Sequence, residues 1–194
     1  MNQSELKNYK WLNRPEKFEL TDDKLVIETE PGTDLWQRTH YGFQNDHVPG
    51  FLSETDGDFT FQVKTRFDSG FMYDQCGILL YHNSDNWVKV SVEYENEDVA
   101  RLGSVVTNLG YSDWATTDIS ANVKEMWYRL SRRGQDFFVE SSPDGIKFKQ
   151  MRVFHLHVSL ETARVGVYAC SPLQSSFKAT FSEFQMGPCE WTKH

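Results

Sequence analysis

Cysteine is scarce in this chain of 194 residues: Cys76, Cys170 and Cys189 are the three, and none forms a Cys-x-x-Cys pair. Thiols this few and scattered exclude a disulfide framework and a thiolate zinc knot. Cys76 and Cys170 lie inside apolar, strand-like runs, where cysteine serves as a small buried hydrophobe. Long apolar runs are missing as well. Nothing approaches the roughly 18 residues that a membrane-spanning helix needs, and residues 1–18 lack the apolar segment of a secretory signal. With the free thiols, these absences lead to the expectation of a cytoplasmic protein that does not engage membranes. An excess of cations is absent too: 20 Lys and Arg stand against 28 Asp and Glu, a net charge of -8. Nonspecific nucleic-acid binding depends on clustered cations that displace counterions, so no nucleic-acid partner is expected. There is no phosphate-cradling glycine loop, no nucleophile elbow and no sustained 3.6-residue period.

Aromatic residues are plentiful instead, with 14 Phe, 8 Tyr and 6 Trp. They favour strands and stacking surfaces. The clearest alternation runs from Phe59 to Phe67, with Phe59, Phe61, Val63, Thr65 and Phe67 set against Thr60, Gln62, Lys64 and Arg66. Further strands are predicted over 25–29, 75–81, 87–95, 102–107, 127–131, 136–141, 163–169 and 177–186, separated by turn residues such as Pro143-Asp144-Gly145. Residues 110–114 read as a loop, and helical turns are expected at most over 118–125 and 46–53. Short strands at this spacing mean an all-β fold, an antiparallel sandwich or barrel. With no linker or repeat, one domain over 1–194 is expected.

The stretch from Asp74 to Glu95 carries the most information. In its second strand Val88, Val90 and Val92 point one way, while Trp87, Lys89, Ser91, Glu93 and Glu95 point the other. An indole, an ammonium and carboxylates in one row suit the floor of a polar ligand groove. A sugar would lie with its apolar face on an aromatic ring and its hydroxyls on carboxylates and amides. Trp36, Asp74, Gln75, Ser112, Asp113, Trp114 and Arg129 join Trp87, Lys89 and Glu93 as candidates for that floor and its rim. In the competing reading, Asp34 and Asp113 cap turns through their own backbones and the neighbouring tryptophans plug the end of the sandwich. A Lys89–Glu93 salt bridge is expected to keep Glu93 ionised.

Six motifs occur in order: Thr33-Asp34-Leu35-Trp36, Asp74-Gln75-Cys76-Gly77, the strand from Trp87 to Glu93, Ser104-Val105-Val106-Thr107, Ser112-Asp113-Trp114 and Ser171-Pro172. Through them the chain, from about Trp11 to Met186, resembles the uncharacterised family of concanavalin A-like domains that includes the fungal "regulation of enolase" protein. The resemblance implies a two-sheet antiparallel jelly roll of the lectin and glucanase type. It brings no established activity, only an association with a glycolytic enzyme.

Three functions remain open at this level. The first is a carbohydrate- or sugar-metabolite-binding module. The second is a glycoside hydrolase or lyase using Glu93 with a second acid such as Asp113, since retaining chemistry needs two carboxyls roughly 5–5.5 Å apart. The third, hinted at by the family, is a protein-interaction domain regulating a metabolic enzyme. No cofactor or metal is expected: His155 and His157 share a strand face, but the sequence supplies no nearby acid to complete a site. A homodimer through edge strands is the oligomeric expectation.

Overall fold

The computed structural model describes residues 1–3 and 5–192; Ser4, Lys193 and His194 lie outside the described residues. After two short strands, β1 (Asn2–Gln3) and β2 (Lys10–Leu12), come β3 (Phe18–Leu20), β4 (Lys24–Glu28), β5 (Leu35–Gln37) and β6 (Gln44–Asp46). Longer strands follow: β7 (Gly50–Asp56), β8 (Phe59–Phe67), β9 (Gln75–Asn83), β10 (Asn86–Tyr94), β11 (Val99–Asn108) and β12 (Tyr111–Ser120). The chain ends with β13 (Glu125–Arg133), β14 (Asp136–Ser142), β15 (Lys149–His155), β16 (Thr162–Cys170) and β17 (Lys178–Gly187). Among the described residues the only helical element is a 3-10 turn at Leu6–Asn8.

Two large antiparallel sheets form a jelly-roll sandwich of the concanavalin A-like kind. The back sheet has the order β15-β14-β13-β8-β17-β4-β3, with β1 also on β17, and the front sheet β12-β11-β10-β9-β16-β7-β2. Val88, Val90 and Val92 enter the core between them with Phe61, Val63, Leu130 and Phe137 of the back sheet. This is the face that the alternation assigned to them. Gly77 has a steric reason: a Cβ there would sit 1.9 Å from the Val90 carbonyl oxygen.

Both helical expectations fail. Residues 50–56 pair with β16 and β2 as β7, burying Phe51 and Leu52, and residues 111–120 pair along their whole length with β11. The 110–114 segment therefore opens a ten-residue strand. Its sequence hid this because β12 is an edge strand, exposed at most positions, and has no apolar face to alternate.

A second apolar cluster lies on the outer face of the front sheet. There a separate two-stranded hairpin, β5–β6, covers Leu79, Tyr81, Trp87, Val105, Tyr168 and Cys170 with its own Leu35 and Trp36 and the following Val48. The centre of the front sheet is thus buried on both faces.

Candidate functional site

Register positions the site. Lys89 of β10 stands opposite Leu79 and Val105, and Val105 opposite Trp114, so these side chains form one row on the outer face. Two pleat repeats further along, Glu93 stands between Gln75 and Arg101. The Gln75 amide donates to Glu93 Oε2 at 2.7 Å, and its Oε1 accepts from the Tyr168 hydroxyl at 2.9 Å. The hairpin leans over this row and is latched by side chains. The Gln37 N–H donates to Ser112 Oγ at 2.9 Å, Arg38 reaches Asp85 at 3.1 Å and the Gly110 carbonyl at 2.8 Å, and the Tyr81 hydroxyl donates to Asp46 at 2.7 Å. Left-handed backbone at Arg38, His40 and Gly42 (φ 56, 65 and 77°) turns the chain sharply enough to bring Tyr41 and Phe43 back over the sheet.

Between hairpin and sheet is a pocket of about 310 Å³. Its polar lining is Asp34, Asn45, Gln75, Lys89 and Glu93; its rings are Trp36, Tyr41, Phe43, Tyr73 and Trp114; Val105, Pro172 and Leu173 complete it. Trp36 and Trp114 meet edge to face with centroids 6.5 Å apart, and the Arg101 guanidinium lies 5.5 Å over the Trp114 ring. The volume sits at the lower end of ordinary small-molecule pockets.

Of the residues singled out from the sequence, Trp36, Gln75, Lys89, Glu93 and Trp114 line this pocket. The others do not, and each has a structural reason. Trp87 is fully buried in the second apolar cluster, its indole N–H donating to the Ser84 carbonyl at 3.0 Å, so it presents no stacking face. Ser112 is buried beneath the hairpin as its latch. Asp113 faces the opposite side of the sheet from Glu93 and bonds Arg152 at 2.6 Å, which removes it as a catalytic partner. Arg129 belongs to the back sheet, where it bonds Gln62 and packs 3.8 Å over the Phe148 ring. Asp74 is buried at the pocket's end. Its Oδ1 accepts from Ser171 at 2.8 Å and Ser175 at 2.6 Å, and its Oδ2 from the Phe71 N–H at 3.1 Å, so it ties down the loop carrying Pro172 and Leu173. An asparagine amide can accept for only one of these two donor sets. Asp74→Asn is expected to lower the unfolding free energy by about 2 kcal/mol in urea titration; an unchanged midpoint would refute this bracing role.

The electrostatics also differ from the sequence expectation. Lys89 pairs with Asp34 at 3.5 Å rather than with Glu93. Asp34, which sequence reading divided between a groove motif and a turn cap, does both: its Oδ1 accepts from its neighbour Leu35 N–H at 2.7 Å while its carboxylate lines the pocket. Glu93 is left without a cation of its own, and its Oε1 is buried with no hydrogen-bond partner. Burial pushes its carboxyl up to about 7, with Asp34 and Glu95 adding to the rise and Lys89 and Arg101 opposing it. Glu93 thus holds its proton about half the time at pH 7, where a Lys89 bridge was expected to keep it ionised. His155 and Asp136 pair at 2.6 Å on the far edge of the back sheet, and no cluster of three metal-ligating side chains occurs among the described residues. Also among those residues, no helix is long and apolar enough to cross a membrane.

A family described as "Protein of unknown function (DUF1349)" matches residues 11–189. The chain belongs to the DUF1349 family. A similar DUF1349-length relative is "Regulation of enolase protein 1" of Saccharomyces cerevisiae, 32% identical over 183 residues that cover 94% of this chain and 91% of that one. Among solved structures, a functionally unknown protein from Saccharomyces cerevisiae superposes with a TM-score of 0.89 at 31% identity, over 95% of this chain and 98% of that one. A mutant of the GH43 protein BlXynB from Bacillus licheniformis gives a TM-score of 0.74 at 16% identity, over 93% of this chain but 37% of that one. At that identity the GH43 likeness establishes the fold the DUF1349 chain shares, the β-sandwich, and nothing of its chemistry.

Proposed function

We propose that the chain is a single-domain binding module for a small carbohydrate or sugar-derived metabolite, held in the pocket between the β5–β6 hairpin and the front sheet. The observation that carries this is the meeting, in one pocket of about 310 Å³, of five aromatic rings with Gln75, Asn45, Lys89, Asp34 and Glu93. Rings take the C–H faces of a sugar, and amides, ammonium and carboxyls take its hydroxyls. The hydrolase alternative loses Asp113, which points away from Glu93, and the acid left beside Glu93 in the pocket, Asp34, is paired with Lys89.

A thermal-shift screen of sugars and sugar phosphates tests the reading, on wild type beside Trp114→Ala and Glu93→Gln. Trp87→Ala is unsuitable, because it damages the core. A ligand at a hundred times its Kd adds about 2.7 kcal/mol, roughly 5–10 °C for a chain of this size. The expected result is a shift in wild type that both variants lose. If no sugar shifts the wild type, the reading falls and a protein partner takes its place. Exposed apolar groups would then form the contact: Tyr41, Phe43 and Leu173 of the pocket lining, with Phe71 and Met72 of the loop before Tyr73, are all 39–52% exposed. The relative's name makes a glycolytic enzyme the first partner to try.

A further inference from the structure

The acid that the sequence around His155 and His157 lacks is delivered by the β14–β15 ladder. Asp136 stands opposite His155 in register, and its Oδ1 lies 2.6 Å from His155 Nδ1. A carboxylate can only accept, so Nδ1 carries the proton and the neutral ring keeps its lone pair on Nε2. Carboxylates behind metal-ligating histidines work in this way, fixing tautomer and ring orientation and raising the basicity of the free nitrogen. Arg133, which faces Asp136 across the β13–β14 turn, does not compete for it. Its guanidinium bonds the Trp191 carbonyl and lies 5.7 Å over that ring.

The second imidazole is near and uncommitted. The His157 ring centroid lies 5.3 Å from that of His155, with the planes inclined at 57°. Among the described residues no hydrogen bond or ion pair engages the His157 side chain. With Zn–N about 2.0–2.1 Å and the ring centre roughly 1.15 Å beyond, two imidazoles on one tetrahedral ion stand about 5.2 Å apart. The backbone sets this spacing. Asn108, at the end of β11, donates to the His155 carbonyl and accepts from the His157 N–H, both at 3.0 Å. Between them Leu156 is fully buried, and its N–H donates to the Gln135 carbonyl at 3.0 Å. The segment is thus clamped from two neighbouring turns while both histidines face solvent. The net charge of -8 favours the approach of a cation.

We propose that His155 and His157 form a two-imidazole site for a divalent transition cation such as zinc, with Asp136 holding His155 in its ligating tautomer. Water or an incoming ligand would fill the remaining positions. Imidazole nitrogens suit zinc, copper and nickel, whereas magnesium and calcium require oxygen ligands. The site lies on the edge of the back sheet, apart from the sugar pocket, and stands whether or not that pocket takes a sugar.

Zinc titrated into the untagged full chain decides it, followed by calorimetry and by proton–nitrogen spectra of the histidine rings. The expected result is one zinc per chain, with His155 Nε2 and a His157 nitrogen shifting while His155 Nδ1 keeps its proton. His155→Asn and His157→Asn, each checked for an unchanged thermal transition, should weaken binding about tenfold or more. Asp136→Asn should weaken it about tenfold and raise the share of His155 rings protonated on Nε2, a tautomer change that a merely structural contact would not produce. Zinc held as tightly by either histidine variant as by wild type would overturn the site. So would zinc signals confined to His40, His47 or His82, or the absence of any zinc heat. An Asp136→Asn variant equal to wild type in both readouts would overturn the carboxylate's part.

Discussion

Trp87→Ala is expected to lower the unfolding free energy by about 3–5 kcal/mol, the usual result of emptying a fully buried indole site. Trp87 has no exposed surface and lies among Leu35, Leu79, Tyr81, Val105 and Tyr168, where hairpin and front sheet meet. The substitution also strips the Ser84 carbonyl of its indole donor. For a chain of this length the loss corresponds to a melting point roughly 10 °C lower. Trp114→Ala, on the exposed edge strand at 37% accessibility, should cost far less. Urea unfolding of both variants makes the comparison. If Trp87→Ala costs no more than Trp114→Ala, the second apolar cluster is not a core.

Glu93→Gln should stabilise the protein in alkaline solution, by an amount that depends on pH. The native carboxyl holds its proton up to about 7, whereas an unfolded glutamate releases it near 4.5. Between those values the native state binds more protons than the unfolded state, so this group's contribution to stability falls as pH rises through the window and stays low above it. A difference of 2.5 from those two values corresponds to about 3 kcal/mol. Glutamine carries no proton to lose, and its side-chain oxygen still accepts from Gln75. The variant should therefore exceed wild type by about 3 kcal/mol at pH 8, shrinking below about 1 kcal/mol at pH 5. Denaturant midpoints of the pair at both pH values check this. A difference that does not change with pH would mean that Glu93 titrates as an ordinary surface glutamate.

Strands with one wet and one dry face were legible in the sequence. Phe59–Phe67 was bounded correctly because its pattern had no competitor, and the valine face of β10 was placed correctly against the core. The other face of β10 was misjudged. Its residues alternate in polarity as a solvent-facing row does, yet a third layer covers them, so Trp87 became core while Glu93 became pocket floor. Nothing local to Trp87 tells these outcomes apart; the difference lies in Val48 and Leu35, about 40 and 50 residues away, closing over one end of the strand. Tyr41, Phe43 and Tyr73 were missed for a related reason. They stand in loop segments without periodicity: the turn at residues 38–42 and the latches below it bring Tyr41 and Phe43 to the pocket, while the Tyr73 N–H donates to the Tyr94 carbonyl at 2.8 Å. The Asp34–Lys89 pair spans 55 positions, which no spacing argument reaches.

The β5–β6 hairpin forms its own two-stranded sheet, its ladder closed on itself. The wall of the pocket is therefore held to its floor by side chains: the latches at Ser112, Asp85 and Tyr81, the Lys89–Asp34 pair and the apolar contacts of Leu35 and Trp36. It can lift as a unit without breaking a hydrogen bond of either large sheet. For a ligand held there as proposed, escape and collapse of the sandwich are then separate events with separate barriers. How long a molecule stays is set by the latches rather than by the thermostability of the whole, so relatives that vary those few contacts can tune residence time while leaving the scaffold untouched.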